Sequence, residues 1–290
     1  MTSGDGVSLS VLTPTFRSGE FLATNLASVR GSGVQHVVMD GGSADGSVAL
    51  LEAAPGVDWR SEPDDGQSDA LNKALALATG DWIGWLNADE FYLPGVLPWV
   101  RRRLASDDCD VLFGDFAEVD VDGRLLRLVT NHRYEGSLLR RVGCYLPSCA
   151  TFLRRDMVER AGGWRVDRRT IMDWDLYLRL DEAGARFRYE PFVAAGFTRH
   201  AGQVTTVQSE RAAAEKKELL SDFRVVNPPW RHYLARSRRI ALKTLNGGYA
   251  REVAAKRMRG DSLATFATDA PVPSAVTRLN PGIPVEEAVA

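Results

Sequence analysis

Between residues 8 and 104, short apolar runs alternate with stretches of helical period, and that alternation admits few folds. Ser8 to Thr13 (SLSVLT, halted by Pro14), Val34 to Asp40 (VQHVVMD), Val57 to Glu62 and Trp82 to Leu86 read as strands. Glu20 to Arg30 spaces Phe21, Leu22, Leu26 and Val29 as a helix does, and a second helix opens at Ser47. Ser68 to Thr79 (SDALNKALALAT) is rich in strong helix formers and stops at Gly80, and Pro94 to Leu104 supplies a fourth helix. Strands alternating with short helices predict a mostly parallel sheet with right-handed crossovers. Sheets of that kind bind ligands beyond the carboxyl ends of their strands.

The pattern changes after residue 108. Val111 to Gly114 is a short strand, and Ala117 to Val129 a hairpin around Asp122-Gly123. Glu118-x-Asp120-x-Asp122-Gly imitates the start of a calcium loop, but Val129 stands where that loop needs its Glu. Leu153 to Ala161 and Thr170 to Ala183 read as helical, Phe187 to Phe197 as extended, and Val207 to Arg224 as a charged helix ended by Pro228-Pro229. The divisions expected are a flexible start over 1–7, a catalytic domain over 8–206, a basic helical extension over 207–260 and a disordered, Pro-rich tail over 261–290.

A net charge of −2 on 290 residues excludes a general electrostatic attraction to nucleic acid. Cys109, Cys144 and Cys149 lack metal-site spacing and read as small buried hydrophobes of a reducing compartment. No leader pattern and no run of about 20 apolar residues occurs, so the expected location is cytoplasmic.

Five places can carry chemistry. The strand Trp82 to Leu86 ends in Asn87, Ala88, Asp89 and Glu90, oxygen donors of the kind that suit Mg²⁺ or Mn²⁺. Asp40, Gly41, Gly42, Ser43 and Asp45 form a strand-to-helix turn; its Asp can accept from a base N–H or a ribose hydroxyl, while Ser43 or Asp45 can simply cap the helix. Asp69, Asn72 and Lys73 share one helical turn, and Lys73 can meet a phosphate or a nearby carboxylate. Asp173 and Asp175 lie about 200° apart on a helix, so one can face a cleft while the other braces the structure. His200 follows the last strand of the domain, where a loop can fold back over a metal.

The order of SVLTPTF, VVMDGGSADGS, EPDDGQSDALNKAL, ATGDWIGWLNADE, ATFLRRDMVERAGGW, MDWDLYLRL and RHAGQVT resembles the inverting glycosyltransferases of family 2, over about Ser8 to Thr205. The resemblance implies a GT-A fold: an α/β, mostly parallel sheet flanked by helices, with a Rossmann-like nucleotide half, an acceptor half and here a C-terminal helical extension. It implies an enzyme of the hexosyltransferase kind, transferring a sugar from a nucleotide sugar (a UDP-sugar foremost) to a glycan, a lipid-linked intermediate or a small molecule in polysaccharide biosynthesis. It places Thr13, Pro14 and Thr15 in the nucleotide pocket with Asp40, Gly41, Gly42 and Ser43, and Asp40 on the nucleobase. Asp69, Asn72 and Lys73 flank the nucleotide sugar. Asn87-Ala88-Asp89 stands for the family's Asp-x-Asp, with Asp89 the metal contact; Asp173 is the base, and His200 touches metal or diphosphate. Asn87 departs from the commoner Asp, and Ala74 from a commoner Gly.

Rival readings are a sugar-phosphate nucleotidyltransferase and an inactive nucleotide-sugar binding module; a nicotinamide dehydrogenase lacks its G-x-G-x-x-G. Residues 230–259 carry nine Lys or Arg against Glu252, interleaved with apolar side chains. Either that stripe packs on the catalytic domain or it lies peripherally in the inner face of a membrane.

Overall fold

The computed structural model describes residues 6–202, 209–264 and 272–284. A nine-stranded sheet runs through it in the order β3-β2-β1-β4-β8-β6-β9-β5, with β7 paired to β6. Its first half is the expected parallel unit: β1 (Leu9–Thr15), β2 (Gln35–Asp40), β3 (Val57–Ser61) and β4 (Trp82–Trp85), with α1 (Gly19–Val29), α2 (Ser47–Glu52) and α3 (Gln67–Leu77) between them. Side chains alternate across it. Val11 and Trp82 enter one core, and Leu12, Ile83 and Trp85 the other.

Pro14 does not halt β1, which continues to Thr15. Successive residues of a parallel strand bond to opposite neighbours. Leu12 bonds to Leu86 on the β4 side, and Thr15 to Gly41 on the β2 side. Pro14 therefore faces the β4 side, beyond the end of β4, where no N–H is required.

The second half is mixed. β5 (Glu90–Tyr92) pairs antiparallel with β9 (Phe187–Thr198), and β9 runs parallel to β6 (Val111–Val119). The helix expected from Leu153 begins only at Arg155. Thr151–Arg154 is instead strand β8, antiparallel to β4 and β6, because Phe152 and Leu153 fill opposite cores there. The hairpin is present, with β7 (Leu125–Val129) closing it and Glu118 paired to Arg127. α4 (Val96–Leu104), α5 (Gly136–Arg141), α6 (Arg155–Arg160) and α7 (Met172–Glu182) complete this part.

The extension holds α8 (Ser209–Asp222), α9 (Pro229–Leu245) and α10 (Gly248–Ala255). Over its described residues, 261–264 and 272–284, the tail expected to be disordered is packed on the domain. Residues 260–263 bond along the β7 edge, and α11 (Ser274–Leu279) docks on the core. Val276 and Ile283 are buried, and the Asn280 carboxamide bonds both backbone groups of Val193 at 2.8 Å. Burial of those apolar groups, with Asn280 completing the β9 edge, outweighs the local Pro content. Among the described residues no helix is long and apolar enough to cross a membrane.

Candidate active site

Thr13 to Thr15, Asp40 and the Asn87 to Asp89 turn lie at the carboxyl ends of β1, β2 and β4. At the end of β2, Asp40 is buried; its Oδ2 accepts from the backbone N–H groups of Gly42 (3.1 Å) and Ser43 (2.9 Å) and from the Ser61 hydroxyl (2.6 Å). Its Oδ1 has no partner, nor does the buried Oγ1 of Thr15, the residue paired with Asp40 across the two strands. Buried oxygens that the protein leaves unpaired are costly unless a ligand or an ordered water meets them. Gly41 follows in the chain, and a Cβ there would lie 2.7 Å from Asp64 Oδ2 and 3.2 Å from the exposed Phe16 ring. Ser43 accepts from Arg17 N–H, and Asp45 from Gly19 N–H and from Ser47, so Asp45 serves as a cap, held below the usual carboxylate range mainly by the Ser47 hydroxyl.

Thr13 does not line the pocket with a free hydroxyl. Its Oγ1 is hydrogen-bonded to His36 at 3.0 Å in the core, where burial holds the imidazole down to about 3 and therefore neutral.

On α3, the Asn72 carboxamide donates to the Trp164 carbonyl at 2.7 Å and accepts from the Trp164 N–H at 2.8 Å, so it clamps a loop. Lys73 donates to the Pro63 carbonyl and pairs with Glu62 (3.1 Å) and Asp69 (3.2 Å), which raise its pKa, Glu62 foremost. Of the two partners open to Lys73 in the sequence, the carboxylate holds it.

At the end of β4, Asn87 offers no oxygen to a cation. Its Oδ1 accepts from Gln67 Nε2 and Trp85 Nε1, which occupy both lone pairs. Ala88 points into a small core with Leu22 and Leu26. Asn25 of α1 pins this turn through the carbonyls of Asn87 and Glu90, and Glu90 Oε2 accepts from Asn87 N–H. Burial pushes the Glu90 carboxyl well up, with the adjacent Asp89 adding to it. The same turn presents Asp89, whose Oδ2 lies 3.0 Å from His200 Nε2, 111 residues away. Both side chains are about a fifth to a quarter exposed, and Phe21 packs on the imidazole at 4.7 Å. Gln203, Val204 and Thr205 of the last motif lie outside the described residues.

Asp173 and Asp175 sit in different surroundings. Asp175 is fully buried and braced by Arg179 at 2.7 Å. Asp173 opens α7; burial raises its pKa, opposed by the Trp174 N–H on Oδ1 (2.7 Å) and the Cys144 thiol 3.6 Å from Oδ2. Cys144 had no signal in the sequence, being a cysteine of no metal spacing 29 residues away. Gln67, Asn25 and Phe16 were missed likewise, since their roles come only from contacts across the sheet edge. A surface depression lined by Asp81, Trp82, Leu104 and Arg154 lies at the opposite, amino end of β4 and belongs to none of this.

The sequence model of Glycosyl transferase family 2 matches residues 10–165. An uncharacterized glycosyltransferase of Mycobacterium tuberculosis is 33% identical over 192 residues, 62% of this chain and 70% of that protein. Among solved structures, Staphylococcus aureus TarS 1-349 superposes with a TM-score of 0.58 at 16% identity, covering 73% of this chain and 64% of that one. The mannosyltransferase PcManGT of Pyrobaculum calidifontis, in complex with GDP-Man and Mn²⁺, gives 0.55 at 18% identity, covering 96% and 79%. The fold is of the GT-A type that these structures share. With over half its length matched by the family and a 33% identical relative named a glycosyltransferase, this chain belongs to glycosyl transferase family 2.

Proposed function

We propose that this transferase moves a sugar from a nucleoside diphosphate, with a UDP-sugar the expected donor, to an acceptor hydroxyl of a glycan, a lipid-linked intermediate or a small molecule. Inversion at the anomeric carbon is part of the reading, as is a cytoplasmic location for its soluble donor. The observation that carries it is the meeting of Asp89 and His200 at the edge where Asp40 and Thr15 hold unpaired buried oxygens. Those two oxygens suit the polar edge of a nucleobase or a ribose, and the exposed Phe16 ring beside Gly41 suits stacking. Nucleotide sugars bound in structural relatives, UDP-GlcNAc in TarS and GDP-Man with Mn²⁺ in PcManGT, support the same reading.

Asp89 and His200 would hold Mg²⁺ or Mn²⁺, the carboxylate being the ligand type that suits either cation. Among the described residues no cluster of three ligating side chains exists, so donor phosphates and water would complete the shell, as is usual for such cations. When bound, the cation offsets charge building on the departing diphosphate. Lys73 is already neutralised by two carboxylates and does not take over that work.

Asp173 accepts the proton of the acceptor hydroxyl as that oxygen attacks the anomeric carbon opposite the leaving group. The bond to the diphosphate breaks with its electron pair on the phosphate oxygen, and the single displacement inverts the centre. Burial makes the carboxylate a stronger base, while the Trp174 N–H and Cys144 thiol hold its orientation.

The test is donor-induced thermal stabilisation with UDP- and GDP-sugars, with and without Mn²⁺, followed by proton NMR of the product's anomeric configuration. Asp89→Ala is expected to abolish the stabilisation, and EDTA to do the same to the wild type. Full transfer in excess EDTA rejects the cation, and a retained anomeric configuration rejects the single displacement.

A further inference from the structure

We propose that the outward face of α9 docks on an anionic phospholipid bilayer and that a lipid-linked acceptor reaches Asp173 from that surface. The docking stands on the helix alone, while the acceptor half rests on the function proposed above.

An amphipathic helix ordinarily turns its apolar stripe to the core. This one does the reverse. At about 100° per residue, Trp230, Tyr233, Leu234, Ile240 and Leu245 share an arc of roughly 140°. They are 59, 71, 58, 52 and 83% exposed. Ser237, Ala241 and Thr244 fill the gaps between them, and no charge interrupts the arc. The helix buries only the narrow opposite side, through Ala235 and Leu242. Of the eleven large hydrophobics exposed among the described residues, eight fall between Val226 and Val253. A patch so concentrated marks an interaction site.

The charges say which partner fits. Arg231 and Arg238 border the arc on one side, Arg236 and Lys243 on the other, and α9 contains no acid. Long cationic side chains flanking an apolar face can keep their heads among lipid phosphates while the face enters the acyl boundary. Trp230 and Tyr233 suit that same boundary. A second copy fits poorly, since a two-fold contact along this face would set the arginine rows against their own images.

The inner side of α9 explains why docking there helps transfer. Asn227 and His232 both bond the Arg141 carbonyl, at 2.9 and 2.8 Å, and the Arg239 guanidinium lies 5.6 Å from the Tyr145 ring centre. Cys144, beside Tyr145, touches Asp173. Arg239, Tyr145, Cys144 and Asp173 thus form a run of neighbours from the inner side of the helix to the base.

Flotation of the full chain with phosphatidylglycerol-rich vesicles tests this, with pure phosphatidylcholine vesicles as the control. The wild type is expected to float with the anionic vesicles at low salt and to stay behind at high salt. Leu234→Glu with Trp230→Glu is expected to abolish flotation. Arg231→Gln with Arg236→Gln should weaken it about thirtyfold, roughly fivefold per charge lost. All four positions are exposed, so unchanged melting curves will show intact folding, and donor-induced stabilisation should persist in every variant. Loss of donor stabilisation in the wild type would sink the donor reading and leave the vesicle result standing. No flotation of the wild type, or flotation indifferent to Leu234 and Trp230, overturns the docking. A wild-type dimer that Leu234→Glu dissociates, without flotation, assigns the face to a second copy instead. Wild-type flotation with transfer to a lipid-linked acceptor undiminished, relative to a water-soluble one, in the Leu234→Glu, Trp230→Glu variant overturns the acceptor half.

Discussion

Replacing Asn72 by Ala separates a structural clamp from a substrate contact. The side chain satisfies both backbone groups of Trp164, whose indole is buried against Trp85 at 5.7 Å between ring centroids. Gly163 next door holds φ +67°, and a Cβ there would come within 2.4 Å of Asn72 Oδ1, so the loop is moulded around this carboxamide. Two lost hydrogen bonds cost about 2 kcal/mol if water replaces them, and up to about 3 kcal/mol for each group that stays dry. Trp164 is 1% exposed, which favours the dry case for one group and gives about 3–4 kcal/mol in all. For a chain of 290 residues that lowers Tm by roughly 5–7 °C. The assay is thermal unfolding followed by tryptophan fluorescence, with donor titrations well below the new midpoint. Destabilisation with near-normal donor affinity is the expected result. A melting curve within about 1 °C of wild type, together with a tenfold loss of donor affinity, would refute the clamp and return Asn72 to the sugar.

Asp173→Asn keeps the shape and the Trp174 contact but cannot take a proton, so transfer should fall ~10²–10⁴-fold with donor binding retained; near-normal turnover would move the base elsewhere. Because burial raises the Asp173 pKa and the active form is the carboxylate, kcat/KM should rise with pH through a midpoint above the ordinary carboxylate value of 3.8. Cys144→Val removes a hydrogen bond that lowers that pKa, so its acid limb should lie at higher pH still; an unmoved limb would deny the thiol any influence on Asp173. Arg251→Ala strands the fully buried Asp115 carboxylate that now pairs with it at 2.5 Å, and calorimetry should show a loss on the order of 3 kcal/mol. Unchanged unfolding would mean that α10 is not anchored by this pair.

What the sequence determined by itself was whatever repeats locally. Apolar period separates β1 to β4 from the helices between them, and strand ends carry the acids, so the parallel half and the places of Asp40 and Asp89 were legible before any coordinates. The opposition of Asp173 to Asp175 followed from helical geometry alone. The basic, apolar pattern of α9 was legible too, but not which way it faces, because a stripe looks the same whether a core or a solvent lies beside it. Hydrogen-bond partners were decided only in the tertiary structure. Thr13 chose His36, Asn72 chose Trp164, Asn87 chose Gln67 and Trp85, and Asp89 met His200. The physical reason is that burial periodicity is set within a few residues by backbone geometry, whereas a polar side chain must be satisfied by whatever the topology brings within about 3 Å, often from a hundred residues away. Strands as short as β5 and β8 fall on the same side of that divide, for three or four residues carry too little period to declare themselves, and only an unpaired sheet edge makes them strands.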